Sequence, residues 1–234
     1  MTSNMPITRA ELADRIDHTL LRPEATREDV AAHVAEATEL GVRTVCISPS
    51  MLPVRAGSMP VGTVIGFPSG KHHSLIKAME ARIAVDMGAT ELDMVLDYSA
   101  IISGRPEEIL GELSPVRDAA PHPVVLKVIL ETAAIYAEFG AERVEEADAA
   151  IANACELAAK GGANVVKTST GFHPAGGASA HAVRVMARAV DPLGSVLVKA
   201  SGGISTAAQA VEMLEAGATL IGTSRSAQML AELG

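Results

Sequence analysis

Eight short apolar runs, separated by stretches in which apolar residues return every three or four positions, constrain what this chain can fold into more than any other feature. The runs are IDHTLL (16–21), VRTVCIS (42–48), VGTVIGF (61–67), ELDMVLD (91–97), VVLKVIL (124–130), NVVKTST (164–170), VLVKASG (196–202) and TLIGTS (219–224). Helical periodicity fills most of the gaps, as in SLIKAMEARIAVDMG (74–88), VEEADAAIANACELAAKGG (144–162) and TAAQAVEMLEAGA (206–218). Strands that alternate with helices pair in parallel through right-handed crossovers, and eight such units within 234 residues imply closure. The expected fold is therefore α/β, a single (β/α)8 TIM barrel with a short N-terminal helix, and residues 1–234 are read as one domain. An open doubly wound sheet is the alternative, but no G-x-G-x-x-G follows the first run. With 48% hydrophobic but only 2% aromatic residues, the core must be built from Val, Ile, Leu, Ala and Met, as in parallel strands buried on both faces.

Local signals agree with this layout. Thr8 to Glu11 reads as a capping box opening a short helix, and Thr26 followed by Glu28 and Asp29 opens another with acid in its first turn. Gly41, Gly88, Gly161 and Gly217 stand where helices need a left-handed terminator. Prolines bracket 49–60, so little more than a turn is expected there.

The chemistry enters through lysine. Of six lysines, Lys127, Lys167 and Lys199 interrupt apolar strand runs, where a buried ammonium costs several kcal/mol unless it is paired or neutral. One such lysine reads as a structural ion pair with Asp17, Asp93 or Glu131; three at strand level point to function. Barrels keep their reactive groups at the C-terminal ends of strands, which makes Lys167 and Lys199 neighbours that repel each other. A Schiff-base lysine must be a neutral amine, and lowering its pKa from about 10.4 to about 7 takes roughly 4.6 kcal/mol. A second ammonium ~4 Å away supplies roughly 4 kcal/mol at an effective dielectric of about 20, with desolvation completing the shift. Iminium chemistry also needs a proton-moving group, for which Asp93 is the first candidate and Asp17 the second.

Glycine-bearing turns follow the last three runs, STGF (169–172), SGGI (201–204) and IGTSR (221–225), and suit a phosphate held by backbone amides. That assigns Gly171, Gly202, Gly203, Gly222 and Ser224 to phosphate binding, with Arg225 adding charge; ordinary strand-to-helix turn chemistry is the competing explanation. The seven histidines are scattered and His72-His73 lacks ligand spacing, so no metal is expected. His18 is expected to face the helices, and Cys46 to be a small buried hydrophobe that borders the pocket. A net charge of −9 argues against nucleic acid or an anionic membrane as partner. No apolar stretch approaches a membrane span, MTSNMPITRAELADR lacks the core of a leader, and two distant cysteines argue against a disulfide framework, so a cytoplasmic, unprocessed protein is expected.

Laid out in this way, the chain resembles the 2-deoxyribose-5-phosphate aldolase family along nearly its whole length, through DHTLL (17–21), TVCISP (44–49), VIGFPSG (64–70), ELDMV (91–95), LKVILET (126–132), VVKTSTGF (165–172), VKASGGI (198–204) and IGTSR (221–225). The resemblance implies reversible cleavage of 2-deoxy-D-ribose 5-phosphate to acetaldehyde and D-glyceraldehyde 3-phosphate, by a class I mechanism needing neither metal nor other cofactor. It implies that Lys167 forms the Schiff base, that Lys199 lowers its pKa and relays protons, that Asp93 donates and accepts protons, and that Asp17 supports the relay. Cys46, Lys127 and Thr168 are then expected in the substrate pocket, Lys127 without forming the imine. Two departures stand out: the chain ends AELG, where some members carry a terminal tyrosine that assists α-proton transfer, and Arg225 stands where a small residue is expected. The alternatives to an aldolase are a sugar-phosphate isomerase working through a carboxylate base and a non-catalytic sugar-phosphate sensor. Exposed apolar helix faces suit a homodimer.

Overall fold

The computed structural model describes residues 7–234; residues 1–6, on which part of the expectation of no leader rests, lie outside the described residues. The eight runs become eight strands: β1 (Ile16–Leu20), β2 (Thr44–Ile47), β3 (Val61–Ile65), β4 (Glu91–Val95), β5 (Val125–Ile129), β6 (Val165–Lys167), β7 (Leu197–Ser201) and β8 (Leu220–Thr223). They close in sequence order into a barrel in which every neighbouring pair is parallel, β8 returning to β1. Around it stand α1 (Arg9–Ala13), α2 (Arg27–Leu40), α3 (Ser74–Asp86), α4 (Tyr98–Ile102), α5 (Pro106–Ala119), α6 (Thr132–Phe139), α7 (Val144–Lys160), α8 (Ala180–Val190), α9 (Ala207–Glu215) and α10 (Ser226–Ala231). Between β2 and β3 there is only a 3-10 turn at Pro49–Met51, as the bracketing prolines require.

Side-chain alternation sorts each strand into two roles. Val45, Ile47, Leu92, Met94, Leu126, Val128, Val166, Val198 and Ile221 are buried in one apolar cluster with the inner faces of the helices. The intervening positions fill the barrel, and there Asp17, Glu91, Asp93, Lys127, Lys167 and Lys199 place six ionisable side chains in its interior. His18, one residue out of phase with Asp17, faces the helices, where its ring stacks on His33 of α2 at 3.7 Å and its Nδ1 lies 2.8 Å from Ser226 Oγ. Burial holds both imidazoles neutral, pushing each pKa down to about 4.

The helix signals hold, with one correction. Thr8 and Thr26 each form a full capping box. Gly41, Gly88 and Gly217 take positive φ, but Gly161 does not; it is the C-cap of α7, with φ −78, and the left-handed residue is the next one, Gly162, at φ 88. No helix among the described residues is long and apolar enough to cross a membrane.

Candidate active site

Strand register gathers residues far apart in sequence. Lys167 pairs in register with Lys199 across β6–β7, and Asp93 with Lys127 across β4–β5. Their side chains meet inside the barrel, all but inaccessible to solvent. Asp93 lies at the centre: Oδ1 accepts from Lys127 Nζ at 2.8 Å, and Oδ2 from Lys167 Nζ at 2.7 Å and from Lys199 Nζ at 2.8 Å. Asp17 Oδ2 accepts from Lys199 at 2.5 Å and lies 3.1 Å from Lys127. Glu91 holds Lys127 at 2.6 Å and Arg43 at 2.7 Å, and Arg43 also reaches Asp17 at 2.6 Å.

This cluster sets four cationic side chains against three carboxylates, so one amine can be neutral and leave the rest balanced. Which one it is follows from contacts. Desolvation is the largest cause for each of the three lysines and disfavours the ammonium. Lys127 touches three carboxylates, and their charges hold its pKa well above the usual lysine value. Lys199 touches two and is also raised. Lys167 touches Asp93 alone, and its pKa falls below the usual value. Desolvation is the largest cause, with Lys199 repulsion a smaller contribution that Asp93 attraction outweighs. The sequence argument, which gave most of the shift to the neighbouring ammonium, is corrected here: desolvation is the larger cause, and the attraction of Asp93, which both amines touch, more than offsets the repulsion from Lys199. Asp93 itself is held well below the usual carboxylate range by the three lysines, against its own desolvation.

A cavity of about 470 Å³ opens above the cluster at the C-terminal ends of β1, β6, β7 and β8. Lys167, 4% exposed, forms part of its floor. Gly171, Gly202, Gly203, Gly222 and Ser224 line its wall together with Arg225, so the three glycine turns converge on one space. At Gly222 a Cβ would stand 2.9 Å from Lys199 Cε and 3.0 Å from Ser201 Cβ, so glycine there leaves room for the Lys199 side chain. Cys46, Lys127 and Thr168 are fully buried beneath this floor rather than on the wall. Burial pushes the Cys46 thiol up to about 11, and Thr168 ties β6 to β7 by donating to Ser201 O and accepting from Ser201 N.

Three residues escaped the sequence reading. Glu91 shares the inward phase of ELDMV with Asp93, a period-two signal that was available. Arg43 precedes β2 and gave no sign of reaching inside. Lys77 on α3 is a fourth buried lysine, paired with Glu112 at 2.7 Å and Val95 O at 2.9 Å, and it is structural. Glu131, considered as a lysine partner, instead accepts from Thr170 Oγ1 at 2.5 Å, because its backbone turns the carboxylate toward the β6–α8 loop. Ligand atoms of His18, His33 and Glu36 lie within 4.8 Å of one another, but the two rings are 11° from parallel. A metal bound by imidazole nitrogen lies near the ring plane, and stacked rings offer no point shared by both planes.

Residues 12–226 match the family described as DeoC/LacD family aldolase. A protein of Nocardia farcinica named deoxyribose-phosphate aldolase is 58% identical over 223 residues, 95% of each chain. One from Mycobacterium tuberculosis with the same name is 52% identical over 226 residues, covering 95% of this chain and 96% of its own. Among solved structures, the tetrameric deoxyribose phosphate aldolase from Aeropyrum pernix superposes with a TM-score of 0.80 at 34% identity, over 96% of this chain and 92% of that one. A closed parallel barrel, a lysine-carboxylate cluster under its mouth and this likeness along nearly the whole sequence lead to one conclusion: the chain belongs to the DeoC/LacD family of aldolases.

Proposed function

We propose that this chain is a class I deoxyribose-phosphate aldolase in which Lys167 forms the imine, acting as one catalytic domain over residues 1–234. The observation that carries the reading is the asymmetry among the three lysines of the cluster: Lys167 alone of them reaches the cavity, and it alone of them has its pKa depressed. In the cleavage direction its neutral amine adds to C1 of open-chain 2-deoxy-D-ribose 5-phosphate. Loss of water from the carbinolamine gives the iminium, with Asp93 and Lys199 moving the protons. The C3 hydroxyl then gives its proton to Asp93, the C2–C3 bond breaks, and its electron pair passes into the enamine as D-glyceraldehyde 3-phosphate departs. Protonation at C2 and hydrolysis release acetaldehyde and restore the amine. While Lys167 is a neutral amine, Asp93 faces two cations rather than three, which makes it a better acceptor for the proton the amine sheds as it adds to C1; the iminium then restores the third charge. Asp17 keeps Lys199 and Lys127 charged, which supports Lys199 as a proton donor.

The phosphate is assigned to the wall of Gly171, Gly202, Gly203, Gly222 and Ser224, with Arg225 contributing charge. The imine reading is favoured over an isomerase because the cavity wall carries no carboxylate among the described residues. Two buried free thiols, Cys46 and Cys155, suit a reducing cytoplasm. The exposed apolar stripe Leu75, Ile76, Met79 and Ile83 on α3 supports self-association as a homodimer. The primary test is intact-mass spectrometry after incubation with acetaldehyde and sodium borohydride. An ethyl adduct on the native chain that is absent from Lys167→Ala is the expected result; a folded native chain with no adduct would overturn the imine.

A further inference from the structure

Glu131 is the one non-glycine among the described residues with positive φ, at φ 59 and ψ 54. It occupies the N-cap of α6, a position usually given to Ser, Thr, Asp or Asn because their short side chains bond the first helical amides. Glu131 makes no such bond. Neither backbone propensity nor capping therefore accounts for a glutamate here, and a non-glycine left-handed residue at a barrel's C-terminal rim is where function-linked strain concentrates. Its carboxylate is buried, 2% exposed, and no cationic side chain among the described residues forms an ion pair with it.

What the carboxylate touches is the next loop. Oε2 accepts from Thr170 Oγ1 at 2.5 Å and from Thr170 N at 3.2 Å, and Thr170 Oγ1 in turn accepts from Phe172 N at 3.1 Å. Between Thr170 and Phe172 lies Gly171, at φ 82, packed against the Gly202 backbone of the following turn. The left-handed turn at Glu131 thus aims its carboxylate across β5–β6 into the loop that forms one wall of the cavity.

We propose that Glu131 is a positioning residue: by clamping Thr170 it holds the β6–α8 loop so that Gly171 and Phe172 present a fixed wall to the phosphate-bearing end of the substrate. This rests on the aldolase reading and adds a determinant of substrate affinity outside the imine machinery. It predicts a separation of kinetic constants, because the clamp acts on loop geometry and makes no hydrogen bond or ion pair with the lysine cluster.

The test compares Glu131→Gly, which keeps the left-handed backbone and removes the carboxylate, with Glu131→Gln, which keeps an acceptor oxygen for Thr170. For 2-deoxyribose 5-phosphate cleavage, Glu131→Gly raises KM about 10-fold or more with kcat within about 3-fold, and Glu131→Gln restores KM to within about 3-fold of the native value. Borohydride trapping with acetaldehyde, which lacks a phosphate, yields the Lys167 adduct in the native chain and in both variants. An unchanged KM in Glu131→Gly overturns the inference. So does a fall of kcat and thermal midpoint together with no KM change, which would mark Glu131 as merely structural. Absence of the adduct from the native chain instead sinks the aldolase reading, so the two failures are distinguishable.

Discussion

Replacing Lys199 with methionine tests how the cluster sets the charge of Lys167. Both amines touch the same Asp93 oxygen, at 2.7 and 2.8 Å, so they lie on the order of 5 Å apart. At an effective dielectric of about 20, a like charge at that distance disfavours the Lys167 ammonium by roughly 3 kcal/mol, about two powers of ten in the fraction of neutral amine. Removing it raises the Lys167 pKa, and freeing Asp93 and Asp17 of a cation adds in the same direction. The activity limb that rises with pH as Lys167 loses its proton therefore moves alkaline by about two pH units. The same substitution breaks buried ion pairs with Asp17 and Asp93, so stability falls by about 3–5 kcal/mol and assays belong well below the thermal midpoint. The assay is kcat/KM for cleavage between pH 5 and 10, with adduct yield from borohydride trapping over the same range and far-UV circular dichroism as the folding control. A folded variant whose rising limb stays within about 0.3 pH units of the native one would refute the electrostatic argument and leave desolvation as the whole cause.

Two further outcomes follow from particular contacts. His18 and His33 are held neutral with pKa values of about 4, below the unfolded value, so the unfolded chain takes up protons first as pH falls. Their contribution to stability is complete above about pH 6.5 and is lost progressively toward pH 4, at roughly 3 kcal/mol per imidazole; urea midpoints that stay flat over that window would contradict it. Gly222→Ala places a Cβ 2.9 Å from Lys199 Cε and 3.0 Å from Ser201 Cβ, so it is expected to displace the Lys199 amine and lower kcat about 10-fold or more; full activity would show that Lys199 tolerates movement.

Much of this protein is legible in one dimension because its signals are local. Period-two strands, period-3.6 helices, capping boxes at Thr8 and Thr26, and glycines after helices each depend on a few neighbouring residues, and eight repeats of one unit leave few ways to close. A lysine inside an apolar strand run is equally local, which is why Lys127, Lys167 and Lys199 stand out. Even so, the spacing does not rank them. The residue at Glu131 looks like one more acidic side chain, because a positive φ has no signature in a glutamate.

The sequence by itself determined the barrel, the level at which the three lysines sit, and the glycine turns that follow the last strands, since each follows from the order and spacing of residue types. Only the tertiary structure decided which amine is neutral. That outcome depends on how many carboxylates each Nζ meets across the barrel interior, where register brings Asp17, Glu91, Asp93 and Arg43 within hydrogen-bonding distance of residues more than a hundred positions away in some pairs.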